Sequence, residues 1–335
     1  MTLKDIAKKL NISVATVSKA LKGYDDVSAA TKARVQEYVE KVKFTPNSVA
    51  ASLRTRKTKT IGVVIPELNH YFFSAVLSGI LSEAEKHDYT VLIQQTHESY
   101  NAEKRQVKKL LFKRVDGILI SMAGKTNDTQ HLKDVVDSET VLIQFDKISK
   151  LVAASKIIIN DREAAFNIVE HLHQQGKKTI AHLRGPLLPQ VSIDRFIGYK
   201  QALEHFQLPY DAKRVLVCDK GIRREGYTAT AKLLQKDPAI DAIFAHTDSV
   251  ALGAIDYLLA HDIKIPEQVA VVGFSNWDIS KHSRPQLTTV NQPGIKMGRA
   301  TFQQFLKEVA LKHKKEAVVP ETIIIPTRLI HRQSS

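Results

Sequence analysis

The side chains with the most specific chemistry lie near the N-terminus, in a run of small and polar residues. Thr16, Ser18 and Lys19 can hydrogen-bond to bases or phosphates, whereas Val14 and Ala15 offer only apolar contacts, for instance to a thymine methyl group. In a helix-turn-helix such residues open the second helix, whose first side chains meet base edges in the major groove. They therefore predict a DNA-reading helix; the alternative is a surface helix pair without that role.

The elements that would position this helix are short and capped. Thr2 followed by Asp5 is typical of an N-cap with an acidic first turn, and Ser13 and Ser28 stand where they would cap a second and a third helix. Apolar residues at helical spacing give each segment one face to bury. Since three short helices joined by tight turns form a small bundle, residues 1–46 are predicted to be a helix-turn-helix headpiece.

The positive charge of the chain is concentrated in the same region. Of the net charge of +14 over 335 residues, +8 falls in the first 60 residues. Such an excess fits contacts with phosphates, and an anionic membrane surface would attract it as well. Nothing resembles a signal peptide or an apolar membrane span, so we expect a cytoplasmic protein. Cys218 is the one cysteine, which excludes an intrachain disulfide.

A linker is predicted after the headpiece. The residue before Pro46 is disfavoured in helical conformation, so the third helix should end there. Residues 47–59 are small and polar and then basic, which is typical of a flexible connection that can fold into a short helix. Leu53 is an apolar exception among these polar neighbours.

From Ile61 onwards, apolar β-branched runs alternate with helical segments. Such runs are typical of parallel strands that are buried on both faces. A first series of four is followed by a second series of five: 61–66, 90–94, 115–121 and 140–146, then 156–161, 179–185, 214–219, 242–248 and 269–275. The fold class predicted is α/β with two doubly wound parallel-sheet subdomains, and ligands bind such sheets beyond the carboxyl ends of the strands.

Taken together, these segments resemble the LacI/GalR family of bacterial transcriptional regulators. The motifs are LKDIAKKLNISVATVSKAL (3–21), TPNSVAASLRTRKTKTIGVVIP (45–66), DRFIGYKQAL (194–203), TDSVALGAIDYLL (247–259), VAVVGF (269–274) and PQLTTVNQP (285–293). The resemblance implies a headpiece, a hinge helix and a periplasmic-binding-protein-like core, residues 60–335, that dimerises. One subdomain of the core would span about 60–160 with 292–320, and the other about 161–291 with 321–335.

The resemblance also implies DNA contacts on both the headpiece and the hinge. In the family, the segment matching Asn47–Leu53 becomes helical when two protomers meet on DNA, and the leucine matching Leu53 wedges into the minor groove. The predicted DNA-binding residues are Thr2, Ser13, Val14, Ala15, Thr16, Ser18, Lys19, Asn47, Val49, Ala50 and Leu53.

For the effector, the resemblance points to Arg195, which stands where the family has its ligand-binding arginine. A guanidinium suits hydroxyl pairs, carboxylates and phosphates. Ser275 departs from the aspartate of many members, so this position offers hydrogen bonds without charge. The predicted effector-binding residues are Asn69, His70, Tyr71, Phe72, Phe73, Asp146, Arg195, Thr247, Asp248, Ser275 and Trp277. A sugar or sugar phosphate is expected, with no other cofactor and no metal.

Two other classes of protein share parts of this pattern. A solute-binding protein would have a similar core, but the basic N-terminal bundle argues against it. An enzyme would need a catalytic motif, and the sequence contains no HExxH, Walker or GxSxG pattern. The sequence therefore predicts a homodimeric transcriptional regulator, and more specifically a repressor, that binds a pseudo-palindromic double-stranded operator under the control of a small effector.

Overall fold

The N-terminal unit of the computed structural model is built from three helices. The structure describes residues 2–21, 23–42, 44 and 58–335, and it divides into one unit that ends at Thr58 and another that begins at Lys59. The helices of the first unit are α1 (Leu3–Leu10), α2 (Val14–Leu21) and α3 (Ala29–Lys41). Ile6 and Val17 are fully buried between them and Val35 is nearly so, which gives this unit a core of its own.

Each of these helices begins at the predicted cap. Thr2 and Asp5 form a capping box, in which Asp5 N donates to Thr2 Oγ1 (3.3 Å) and Thr2 N donates to Asp5 Oδ2 (2.8 Å). Ser13 and Ser28 each accept a hydrogen bond from the backbone amide three residues further on. Such caps contribute about 1 kcal/mol each, so local sequence sets the starts of all three helices.

The second unit contains two six-stranded sheets. The first has the order β11-β5-β4-β3-β1-β2 with all neighbours parallel. Its strands are β1 (Thr60–Ile65), β2 (Thr90–Gln95), β3 (Gly117–Ile120), β4 (Val141–Phe145), β5 (Ser155–Ile159) and β11 (Thr322–Ile325). The central strands β1, β3 and β4 are buried except for Thr60 at the start of β1, as expected for a sheet covered on both faces.

The second sheet has the order β12-β10-β9-β8-β6-β7 and is parallel except for its last strand. Its strands are β6 (Ile180–Arg184), β7 (Val215–Val217), β8 (Ala242–Ala245), β9 (Ala270–Ser275), β10 (Thr288–Asn291) and β12 (Arg328–Ile330). Since successive strands belong to different sheets after β5, β10 and β11, the chain passes between the subdomains at these three points.

Helices cover both sheets. They are α4 (Tyr71–Lys86), α5 (Tyr100–Phe112), α6 (Gln130–Val136), α7 (Asp161–Gln174), α8 (Gln190–His205), α9 (Arg223–Lys236), α10 (Asp248–Ala260), α11 (Ile279–His282) and α12 (Gly294–Lys314), with a 3-10 turn at Ala212–Arg214. In the part of the chain that the structure describes, no helix is long and apolar enough to cross a membrane.

Glycines allow some of these helices to pack very closely. A Cβ atom at Gly79 of α4 would overlap Ile295 O, and one at Gly298 of α12 would overlap Val76 O. In the same way, a Cβ atom at Gly226 of α9 would overlap Val250 O of α10. Backbones meet at these positions, so no larger side chain fits without moving a helix.

The structure corrects two assignments made from the sequence. The run 156–161 was grouped with the second series, but β5 pairs with β4 and lies in the first sheet. Residues 321–335 were assigned to the second subdomain, but β11 pairs with β5, so the chain leaves the first sheet only after Ile325. The reason in both cases is that the partners of a strand determine the sheet to which it belongs, and apolar character does not reveal those partners. Strands β10, β11 and β12 were not predicted from the sequence.

Candidate functional site

The helix α2 presents the predicted DNA-reading residues to solvent. Val14 is 40% exposed, and Ala15 and Lys19 are also exposed. Thr16 and Ser18 are half-buried, and the Thr16 hydroxyl lies 2.8 Å from that of Ser13. The predicted residues therefore lie together on one short helix, as a major-groove reader requires.

Lys19 has an internal partner that was not predicted from the sequence. Its ammonium forms an ion pair with Asp26, in the turn before α3. Both side chains are about half exposed, 48% and 53%, and ion pairs of this kind contribute only about 0–1 kcal/mol. Lys19 can therefore exchange Asp26 for a phosphate or a base at little cost.

The four predicted hinge residues lie outside the described part of the chain. They are Asn47, Val49, Ala50 and Leu53. Their roles stay predictions.

In the second unit, unusual backbone conformations mark the carboxyl ends of the strands. Positive φ angles occur at His97 and Glu98 after β2, at Asp146 after β4, and at Ser275 and Asn276 where β9 ends. Most of the other non-glycine residues with positive φ follow the last turn of a helix. Strained backbone collects at functional sites, so these loops point to a site at the carboxyl ends of both sheets.

These carboxyl ends meet across a crevice between the two subdomains. The rings of His70, which precedes α4 after β1, and Trp277, which follows β9, are 4.5 Å apart in an edge-to-face arrangement. A second contact joins the subdomains where Lys150 Nζ lies 3.7 Å from Asp194 Oδ2 on α8. The crevice is therefore closed in this structure.

Burial affects the charge of His70. Its desolvation, with the positive charges of Lys147 and Arg195 nearby, lowers the pKa of His70 to about 4. The imidazole is therefore neutral near pH 7 while the crevice is closed. Its Nδ1 is buried and has no hydrogen-bond partner among the described residues, and Trp277 Nε1 is in the same condition.

Arg195 is held at the base of the crevice. Its side chain is 7% exposed, and Nε donates to Asp161 Oδ1 (2.7 Å) while Nη1 donates to His246 O (2.8 Å). The guanidinium also lies 3.6 Å from the ring centroid of Phe274. Burial raises the pKa of Asp161 to about 6, although the cation of Arg195 opposes this. The pair fixes the guanidinium plane, and no hydrogen bond from Nη2 to a described residue is seen.

Asp146 and Lys147 come from the end of β4 in the first subdomain. Asp146 is buried beside Ser121, and desolvation raises its pKa despite the nearby charges of Lys147 and Arg195. Lys147 pairs with Glu98 and lies 5.9 Å from the ring centroid of Phe73. This wall of the crevice therefore combines a carboxyl group, an ammonium group and an aromatic ring.

Asp248 supports the opposite wall and does not line it. The residue is fully buried, and its two oxygens accept from Thr289 Oγ1 (2.5 Å) and Trp277 N (2.7 Å). Burial raises the pKa of Asp248 to about 6. We expected an effector contact here; the geometry instead makes Asp248 a residue that positions Trp277.

Ser275 is also committed to an internal contact. It is 4% exposed, and its hydroxyl donates to Gln292 Oε1 (2.6 Å) just before α12. The amide nitrogen of Gln292 is buried without a partner among the described residues. A ligand that reaches this wall would therefore meet Gln292 Nε2 and Trp277 Nε1 as free donors.

The other predicted effector residues differ in position. Asn69 and Tyr71 are exposed, Tyr71 by 49%. Phe72 and Phe73 are each 3% exposed and both pack into the core, but only Phe73 lies against His70, with ring centroids 5.3 Å apart. Thr247 accepts from the amide of Val250 and caps α10.

Several residues of the crevice were not identified from the sequence. They are Glu98, Lys147, Asp161, His246 and Gln292. Lys147 could have been found, because it directly follows Asp146 at the end of a predicted strand. The others depend on contacts between residues far apart in the chain and give no local signal.

The described residues contain no group of histidine, cysteine and acidic side chains that could hold a metal ion. Cys218 directly follows β7 and is 1% exposed, and burial raises the pKa of its thiol to about 12. A thiol that stays protonated is a poor nucleophile, so Cys218 is a core residue.

The fold and the site together define a DNA-binding transcriptional regulator with a ligand crevice. Residues 2–47 match the family model of bacterial regulatory proteins, lacI family, and residues 58–333 match that of periplasmic binding proteins and the sugar binding domain of the LacI family. The chain belongs to the LacI family, in which control of DNA binding by an effector is typical.

Similar proteins are regulators as well. Catabolite control protein A of Priestia megaterium is 30% identical over all of this chain and 99% of its own length. The transcriptional repressor PurR of Vibrio atlanticus is 29% identical over 95% of this chain and 94% of its own.

Two solved structures have the same fold. The lac repressor dimer bound to operator and the anti-inducer ONPF superposes with a TM-score of 0.87 at 24% identity, over 100% of this chain and 98% of that one. The regulator CelR in complex with cellobiose gives a TM-score of 0.75 at 25% identity over the whole of both chains.

Proposed function

We propose that this chain is a repressor that binds a two-fold symmetric operator as a homodimer, and that a small molecule in the crevice changes its affinity for DNA. It acts in the cytoplasm, where the operator lies, and it catalyses no reaction. The observation that carries the proposal is the closed crevice, in which His70, Trp277 and Gln292 keep buried polar atoms without partners among the described residues. Buried polar atoms are rarely left unpaired, so a polar ligand is the natural occupant.

The chemistry of the walls favours a sugar or a sugar phosphate. Opening of the crevice would uncover the ring of Phe73, which is buried against His70 in the closed form, as a flat apolar surface of the kind that sugar rings stack on. Arg195 Nη2 and Lys147 supply donors for hydroxyl or phosphate oxygens, and Asp146 accepts from hydroxyl groups. On the opposite wall, Asp248 positions Trp277 and Ser275 holds Gln292.

An apolar surface on the second subdomain supports the proposal that two copies of this chain form a dimer. Ile222, Tyr227 and Ile279 are each about 40% exposed. Ile279 lines a cavity of about 340 Å³ between α9, α10 and α11 together with Arg223 and Leu252, and Ile222 directly precedes Arg223 in the chain. Exposed apolar residues grouped in this way are typical of an interface, and a pseudo-palindromic operator requires a two-fold symmetric partner.

The connection between ligand and DNA would run through the hinge. Closure of the crevice fixes the angle between the subdomains, and that angle sets the separation of the two hinge segments in a dimer. Asn47, Val49, Ala50 and Leu53 would form the hinge helix, with Leu53 as a minor-groove wedge beside the contacts of α2. Ligand and DNA would thus act on one equilibrium between two conformations of the protein, because each binds one conformation more tightly than the other.

A thermal-shift screen of the full chain with sugars, sugar phosphates and nucleobases tests this function. A ligand that binds the folded state raises the melting temperature by mass action, by several degrees at saturating concentration. Operator affinity should then change in a gel shift with that ligand, and Arg195→Lys should lose the response while it still binds DNA. The proposal fails if a ligand that raises the melting temperature leaves operator affinity unchanged.

A further inference from the structure

One helix of the core carries an unusual group of cations on its solvent side. Between residues 100 and 114 there are six lysines and arginines, and the single acidic residue, Glu103, is fully buried against His131. We use the term α5 basic face for the exposed residues Arg105, Lys108, Lys109, Lys113 and Arg114. Lys104 is not included because its ammonium already has a partner within the protein, the ring of Tyr100, whose centroid lies 5.2 Å away.

The cations of the α5 basic face are not neutralised within the protein. Among the residues that the structure describes, none of the five forms an ion pair, whereas Lys307 on α12 pairs with Glu321. Cations near a helix C-terminus are favoured by the helix dipole. That effect fades within the last turn, so it leaves Arg105 and Lys108 unexplained.

The C-terminal end of this face lies where the chain from the DNA-binding unit enters the core. Lys59 N donates to Asp116 Oδ2 (3.0 Å), and Asp116 N donates to Thr60 O (2.8 Å). Arg114 is two residues before Asp116, so it lies close to that point.

We propose that the α5 basic face binds phosphates of the DNA that flanks the segment read by α2. The inference rests on DNA binding by the N-terminal unit, and it adds a contact made by the core. Lysine and arginine neutralise phosphates and release counterions, so the contact is independent of DNA sequence and sensitive to salt. It strengthens binding to operator and to other DNA alike.

Phe112 distinguishes DNA binding at the α5 basic face from docking of an acidic protein at the same face. Its side chain is 89% exposed on the same side of the helix. A protein partner would bury this ring as an anchor, whereas a phosphate backbone gains nothing from it. Phe112→Ala should therefore leave the salt dependence of DNA binding unchanged.

The test is a salt titration of the full chain with a random-sequence duplex of about 40 base pairs, in KCl from about 50 to 200 mM. The variant is Lys109→Gln with Lys113→Gln. The matched control is Lys232→Gln with Lys236→Gln, a pair at the same spacing near the end of α9, for which no ion pair with a described residue is seen. Equal melting temperatures would establish that both variants are folded.

The expected result is a salt slope that is less steep by about 1 for each phosphate that is no longer neutralised, hence by up to about 2 per protomer, in the α5 variant alone. The proposal is overturned if the α5 variant and the control have the slope of the unmodified chain, or if Phe112→Ala changes the slope as much as the lysine variant does. An unmodified chain that binds no DNA would refute the proposed function itself.

Discussion

His70 and Trp277 lie 207 positions apart in the chain, yet their rings meet edge to face at 4.5 Å and close the crevice. Each ring belongs to a different subdomain, so opening of the crevice must break the contact. Trp277 is the only tryptophan, so the tryptophan emission of the protein comes from this position alone.

The emission of Trp277 should depend on pH through His70. Burial lowers the pKa of His70 from 6.5 to about 4, so the closed form binds its proton more weakly than an open form does. Closure is then fully favoured above about pH 6.5 and loses support as the pH falls towards 4. The measurement is a fluorescence titration with far-UV circular dichroism as a check of folding. His70→Phe keeps a ring but does not titrate, and an identical titration in that variant would refute the assignment.

The pair between Arg195 and Asp161 should be essential for stability. Asp161→Asn leaves a buried guanidinium without its counter-charge, which typically costs about 3–5 kcal/mol. The matched control is Asp194→Asn, whose partners Lys150 and Arg162 are more exposed, so we expect a loss of at most about 1 kcal/mol. Urea unfolding of both variants measures the difference. Equal midpoints would contradict the role given to the buried pair.

Asp26 should compete with DNA for Lys19. Asp26→Asn removes this competitor and one negative charge, so DNA affinity should rise several-fold, whereas Lys19→Gln should lower it by about tenfold or more. Fluorescence anisotropy with labelled duplex measures both. If Asp26→Asn weakens binding, then the ion pair orients Lys19 for DNA and does not compete with it.

The close contact of α4 with α12 should not tolerate a methyl group. Gly79→Ala would make Cβ overlap Ile295 O, so we expect a loss of about 1–3 kcal/mol from forced movement of the helices. The neighbouring Ser78 is exposed on the same helix, and Ser78→Ala should be neutral or slightly stabilising. Thermal melts compare the two. A stable Gly79→Ala variant would mean that the helices separate easily.

Features decided by local sequence were predictable. The caps at Thr2, Ser13 and Ser28 involve residues three positions apart, and each was found from residue type and spacing alone. Apolar runs likewise revealed nine of the strands. The sheet to which each strand belongs was not predictable in every case: β5 pairs with β11, a strand more than 150 residues further along the chain that was not predicted.

The crevice was predictable in outline only. The strand ends that carry His70, Asp146 and Trp277 follow from the α/β pattern. The contacts that determine what each side chain does are non-local: Lys147 pairs with Glu98 over 49 positions, and Asp248 reaches Trp277 over 29. Burial determines what the remaining side chains do. Asp248 is fully buried and positions Trp277, whereas its place after a strand had predicted a contact with the ligand.

The most direct test of the account is a selection of binding sites from a random duplex library by the full chain. Two copies of α2 related by a two-fold axis should enrich a sequence of two inverted half-sites. Exchange of Thr16 and Ser18 for alanine should abolish the enrichment, since we propose that their hydroxyls contact bases or phosphates. A library that yields no enriched sequence, or one without inverted symmetry, would contradict the claim that this chain reads DNA as a symmetric dimer.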